Sequence, residues 1–134
     1  MELSISDLFG IKAAHERLTS YSAESGNGQV VSIPYKFSGR TRYSIAKNLI
    51  SLEKSLEPWE KVVLSLRDKY GISEKTKQSD ENFLGLMLES TNLSKEQKEE
   101  CELKTLPLAE FLDDKNPVPA DVLGVLEKFN LLLD

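Results

Sequence analysis

The chain is 134 residues long, 40% hydrophobic and 29% charged, with a formal net charge of -5 and an isoelectric point near 5.0. This length suits a single domain, 1–134, able to bury about two-thirds of the surface its unfolded form exposes, and the composition excludes the sparsely apolar, highly charged class that stays disordered. The acidic balance argues against a general nucleic-acid binder, which needs positive charge to offset phosphates, and leaves only a local basic patch for that work.

No apolar run approaches the roughly 18–20 residues that cross a bilayer, and Met1-Glu2-Leu3-Ser4 lacks the basic start and apolar block of a secretory leader. The expectation is a cytoplasmic protein with no membrane partner. Cys101 is the single cysteine and His15 the single histidine, so neither an internal disulfide nor a Cys/His zinc set is available. Glu99, Glu100 and Glu102 surround Cys101 and disfavour a nucleophilic thiolate, which makes it a bystander thiol.

Ser4-Ile5-Ser6-Asp7 has the form of a capping box and predicts a helix directly after it, with Leu8, Ile11, His15, Leu18 and Tyr21 along one face. A lone histidine on such a stripe reads as a half-buried packing residue ahead of a pH-sensitive or ligand-contacting group. Ser22 to Gly28 is rich in turn formers and reads as an exposed loop. Val31, Ile33, Tyr35 and Phe37 then alternate as in a strand with one covered face, and Pro34 places that strand at an edge.

From Thr41 the period lengthens. Ile45, Leu49, Leu52, Leu56, Trp59, Val63, Leu66 and Tyr70 are spaced alternately four and three apart, which predicts one seam on a helix roughly 30 residues and ~45 Å long. Pro58 lies off that seam and is expected to bend the helix while leaving the buried face intact; Gly71 is its natural stop. The seam could serve a homodimeric coiled coil, but its flanks lack a systematic alternation of opposite charges, which favours a central helix clothed by the other elements.

Ile72 to Asn82 reads as a polar, mobile connection. Residues 83–88 read as a short apolar helix weakened by Gly85, with Met87 as core filler, and Leu93-Ser94-Lys95-Glu96-Gln97 as a further helix start capped by Ser94. Glu102 to Leu108 has weak strand character and could pair with the 30–37 strand. Pro117 and Pro119 set an extended approach to a final helix whose apolar face holds Val122, Leu123, Val125, Leu126, Phe129 and Leu132. The fold class expected is α+β, mostly helical: a long central helix, shorter helices packed on it and a small two-stranded β element.

Catalytic patterns are missing: the sequence has no Gly-rich phosphate loop followed by lysine, no dinucleotide fingerprint, no nucleophile elbow and no His-containing metal motif. A non-enzyme without cofactor or metal is expected. One stretch invites a ligand. Residues 36–49, KFSGRTRYSIAKNL, hold Lys36, Arg40, Arg42 and Lys47 with no acid between them, and Ser38-Gly39-Arg40-Thr41 lies where a strand gives way to the long helix, so free N–H groups and the helix dipole favour an anion there. Arg40 and Arg42 could fork onto a phosphate or carboxylate, with Lys36 and Lys47 adding looser attraction. Solvation, or pairing with the seven acids that segment 96–114 carries against two lysines, is the competing reading. The candidate anion- or partner-binding residues are thus Lys36, Arg40, Thr41, Arg42 and Lys47.

Tyr43-Ser44-Ile45-Ala46-Lys47-Asn48-Leu49, Leu52-Glu53, Leu56-Glu57-Pro58, Leu66 and Lys69-Tyr70-Gly71 resemble a family of small uncharacterised bacteriophage proteins, mainly from tailed phages of Gram-positive hosts. Glu102 to Glu110 resembles that family's short strand segment, and Pro119-Ala120-Asp121-Val122-Leu123 with the Leu-rich closing helix resembles its C-terminal end. The resemblance covers about two-thirds of the chain, with 22–39 standing as an insertion. It implies a phage origin and no particular activity; phage proteins of this size act in particle assembly, redirect host machinery or block host defences, mostly by binding. The function expected is a non-catalytic interaction protein, host-directed or anti-defence, that binds another protein of host or phage in the host cytoplasm. A binder of a phosphate-bearing ligand or nucleotide through 36–47 is the second reading, and a phage assembly or minor virion protein the third.

Overall fold

In the computed structural model, which describes residues 1–77 and 80–134, the chain is a mostly helical α+β protein with one long helix. The elements are β1 (Glu2–Ser4), α1 (Ile5–Glu16), β2 (Ser20–Glu24), β3 (Val30–Pro34), α2 (Gly39–Lys69), α3 (Glu81–Glu96), β4 (Lys98–Glu100), β5 (Leu106–Pro107), α4 (Leu108–Phe111), α5 (Ala120–Lys128) and β6 (Leu132–Leu133). Among the described residues the strands form three separate pairs, β1 with β4, β2 with β3 and β5 with β6, where the sequence predicts a single two-stranded element. The chain groups into two compact units: Met1–Phe9 with Leu52–Cys101, and Gly10–Ser51 with Glu102–Asp134.

In the first unit, β1 and β4 pair antiparallel with Leu3 opposite Glu99. The Ile5 N–H donates to the Gln97 carbonyl at 3.0 Å and the Cys101 N–H to the Met1 carbonyl at 2.9 Å, extending the ladder at both ends. Ser4 Oγ accepts the Asp7 N–H at 3.1 Å, the cap that the sequence predicts for α1. On α2 the buried side chains of this unit are Leu52, Leu56, Trp59 and Leu66, four positions of the predicted seam. Pro58 is exposed and the helix runs through it, so the N–H it lacks is missing on the solvent side.

The helix stops as expected at Gly71, whose φ of 63° suits a residue without Cβ. The Ile72 N–H reaches the Arg67 carbonyl at 2.9 Å and the Gly71 N–H the Asp68 carbonyl at 3.1 Å, the paired bonds of a Schellman motif. The polar connection read between Ile72 and Asn82 includes Gln78 and Ser79, which lie outside the described residues; Asn82 itself belongs to α3.

The two short helices read between 83 and 97 are one. α3 runs for 16 residues behind Asp80, whose carboxylate accepts the Asn82 N–H at 2.8 Å. Ser94 caps nothing; it lies in the last turn and its hydroxyl donates to the Thr91 carbonyl at 2.7 Å. Only Leu86 of α3 is buried, and Met87 is half exposed, which corrects its reading as core filler. Gly85 has a packing reason: a Cβ there would lie 2.9 Å from the Tyr70 ring. That ring is held by its hydroxyl, which donates to Glu89 at 2.6 Å.

In the second unit, α1 ends at Glu16, so Tyr21 sits on β2 instead of the α1 face. β2 and β3 form an antiparallel hairpin from Ser20↔Pro34 to Glu24↔Val30, and the expected loop shrinks to residues 25–29. β3 stops at Pro34; Tyr35 and Phe37, read as its inward face, are buried beyond its end. Their rings join a run from Tyr21 through Tyr35 and Phe37 to Phe111, with centroids 5.1, 5.1 and 4.8 Å apart. The 102–108 segment does not pair with β3, whose partner is β2; Leu106 pairs parallel with Leu132 instead. Leu132 therefore leaves the face of the final helix, and Asn130 at φ 57° turns the chain between α5 and β6. α5 starts after Pro119 as predicted and buries Val122 and Leu126.

His15 is fully buried, at 0% exposure, not half-buried. Its Nδ1 lies 2.9 Å from the Ile11 carbonyl, which can only accept, so Nδ1 carries the proton and Nε2 accepts from Asn48 Nδ2 at 3.0 Å. The same Asn48 amide donates to the Lys104 carbonyl at 2.9 Å, while its Oδ1 accepts the Lys104 N–H at 2.6 Å. Burial lowers the His15 pKa, the bond to Ile11 opposing. Among the described residues no helix is long and apolar enough to cross a membrane, and no group of three or more His, Cys, Asp or Glu could hold a metal ion.

Candidate functional site at the head of the long helix

The first turn of α2 carries no acidic residue, yet its unpaired N–H groups and dipole call for one. Glu110, on α4, supplies it. The Glu110 carboxylate accepts from the Ser38 N–H, from the Ser38 hydroxyl at 3.1 Å and from the Thr41 hydroxyl; Ser38 Oγ in turn accepts the Thr41 N–H at 3.2 Å, capping the helix. Burial pushes the Glu110 carboxyl up, but the hydrogen bonds from Thr41 and Ser38 outweigh it and hold the group below its ordinary range.

The segment leading into the helix is fastened one backbone group at a time. Arg42 donates from Nε to the Phe37 carbonyl at 3.1 Å and from Nη2 to the Tyr35 carbonyl at 3.0 Å. The Lys36 N–H donates to Asn116 Oδ1 at 2.7 Å, and the buried Asn116 returns Nδ2 to the Glu110 carbonyl at 3.0 Å. These bonds tie residues 35–38 to the 110–116 stretch of the same unit and position both Thr41 and Arg40.

The five predicted residues therefore divide. Thr41 and Arg42 are committed to internal bonds. Lys36, Arg40 and Lys47 are exposed and form no ion pair among the described residues; Lys47 stands 6.0 Å from the centroid of the exposed Tyr43 ring. Arg40 borders a hollow of ≈ 390 Å³ with Ser38, Thr41, Ser44, Thr105, Leu106, Pro107, Ala109, Glu110, Leu133 and Asp134. Its lining combines apolar Pro107, Ala109 and Leu133 with the Arg40 guanidinium and with the Glu110 carboxylate, which is already hydrogen-bonded three times.

Sequence reasoning names the 96–114 acids as possible partners of the cations. One of them, Glu110, does reach this place, but it binds hydroxyls and an N–H instead of Lys or Arg. Asn116 is absent from that reading; an Asn one residue before Pro117 looks like an ordinary turn former, and only the fold brings it to Lys36. No family model matches the chain, and neither a curated protein nor a solved structure matches it.

Proposed function

We propose that this is a non-catalytic bacteriophage protein that acts in the host cytoplasm by binding another protein, host-directed or anti-defence, at the head of α2. The observation that carries the reading is the hollow beside Arg40, where Pro107, Ala109 and Leu133 line the same space as a guanidinium that forms no ion pair among the described residues. A protein chain placing an apolar side chain in the hollow and a carboxylate on Arg40 satisfies both features, the Arg–carboxylate fork supplying orientation. The phage assignment draws on the sequence resemblance.

A phosphate-bearing ligand fits less well. The helix end that would attract it is filled by the Glu110 carboxylate, and the greater charge of a phosphate is repelled there more strongly than the single charge of a carboxylate held on Arg40. The test is a photo-crosslinking residue at Ser44, introduced in the full chain and exposed to host and phage lysates. One discrete protein adduct is expected, reduced at least tenfold by Arg40→Glu. No adduct, or capture indifferent to Arg40→Glu, overturns the site; nucleotide binding by calorimetry at low salt overturns the preference for a protein.

A further inference from the structure

The outer face of α3 is left exposed among the described residues. Glu81, Leu84, Leu88, Thr91 and Lys95 recur at intervals of three and four along it, all exposed, and Met87 adjoins them. Leu84 is 56% exposed, Met87 50% and Leu88 66%. Single exposed apolar residues are ordinary, but three neighbours on one helical face make a continuous patch that water solvates poorly. By contrast, the long seam of α2 is directed inward, with Ile45, Leu52, Leu56, Trp59 and Leu66 buried.

The ends of the α3 patch carry opposite charges, Glu81 in the first turn and Lys95 in the last, and neither forms an ion pair among the described residues. Leu88 stands midway between them. We infer that a second copy of this chain covers the patch, its α3 packed antiparallel about a two-fold axis near Leu88. In that arrangement Glu81 of each copy faces Lys95 of the other, the helix dipoles oppose, and Leu84 and Leu88 interleave. A parallel pairing sets Glu81 against Glu81 and Lys95 against Lys95, and is disfavoured by like charge. The contact is isologous and closes at two copies. Its small area makes the dimer weak, of the kind that forms and parts readily. It uses no residue of the α2 head and stands or falls separately from the proposed function.

Sedimentation equilibrium of the full chain over roughly 1–500 µM, the range in which so small an interface populates, decides the matter at low salt. A monomer–dimer equilibrium is expected. Leu88→Glu, at an exposed position that leaves the circular dichroism unchanged, is expected to give monomer throughout. Glu81→Lys and Lys95→Glu are each expected to weaken the dimer about tenfold, since each replaces two attractions by two repulsions, and the double reversal to restore it to within about threefold. Monomer at every concentration, a dimer untouched by Leu88→Glu, or a double reversal no better than the single ones overturns the inference.

Discussion

Asn48 does the work of three residues. Its one side chain answers His15 Nε2, the Lys104 carbonyl and the Lys104 N–H, all away from bulk water, and among the described residues no buried side-chain nitrogen or oxygen lacks a partner. Such a group is worth more by what its loss would strand than by the bonds it makes, because an unpaired buried donor or acceptor costs about 1–3 kcal/mol. Asn48→Leu keeps the branched shape of the side chain and strands both backbone groups of Lys104 together with the histidine acceptor. It is expected to destabilise the protein by about 2–4 kcal/mol, measured as a shift in the urea midpoint at an unchanged slope. Replacement of the neighbouring exposed Ile50 is expected to shift it by less than about 0.5 kcal/mol.

At the scale of the element, the head of α2 joins three independent needs: the helix needs an anion at its start, Ser38 and Thr41 need an acceptor, and the 35–38 segment needs partners for its backbone. Glu110 meets the first two at once. Glu110→Ala is expected to cost about 1–2 kcal/mol through the lost cap and acceptor, and to speed hydrogen exchange in the first turn of α2 while leaving its middle protected. Slowed or unchanged exchange at residues 39–43 would contradict the role given to Glu110. What the sequence makes legible here follows from period and range. The α2 seam is legible because Ile45, Leu52, Leu56, Trp59 and Leu66 repeat on one face of one helix, and a repeat is a local property. The Ser4 cap and the Gly71 stop are legible because each is built within six residues. The partners of the α2 head are not, since Glu110 comes from 69 to 72 residues away and Asn116 from 80, and neither carries a pattern of its own. α3 misleads for another reason: Leu84, Met87 and Leu88 look like core by composition, but face outward, and Gly85 divides in sequence a helix that Tyr70 needs undivided in space.

Over the whole molecule the titrating groups act in one direction on the acid side. The His15 imidazole is held neutral by burial, its pKa below the ordinary 6.5, so an unfolded chain takes up a proton that the folded one refuses; its contribution is complete above about pH 6.5 and is lost as pH falls through the folded-state value. Glu89, held down by the Tyr70 hydroxyl and then by Lys69, Glu110, held down by Thr41 and Ser38 against the effect of burial, and Asp121, held down by Arg17, all ionise more readily in the fold. Their contributions are present above the ordinary carboxylate range and are lost only below it. Acid should therefore destabilise in two stages, the histidine first and the carboxylates after. The net charge works the other way over the first stage, since -5 at neutral pH falls toward zero near pH 5.0 and self-repulsion relaxes. Surface charges are screened within about 8–10 Å at physiological salt whereas the imidazole is fully buried, so the histidine is expected to set the slope over this range. In urea titrations at moderate salt, stability is expected to fall between pH 7 and 5.5 in the native protein and to stay level or rise in His15→Gln, whatever that substitution costs overall; equal slopes in the two proteins would assign the first stage to surface charge.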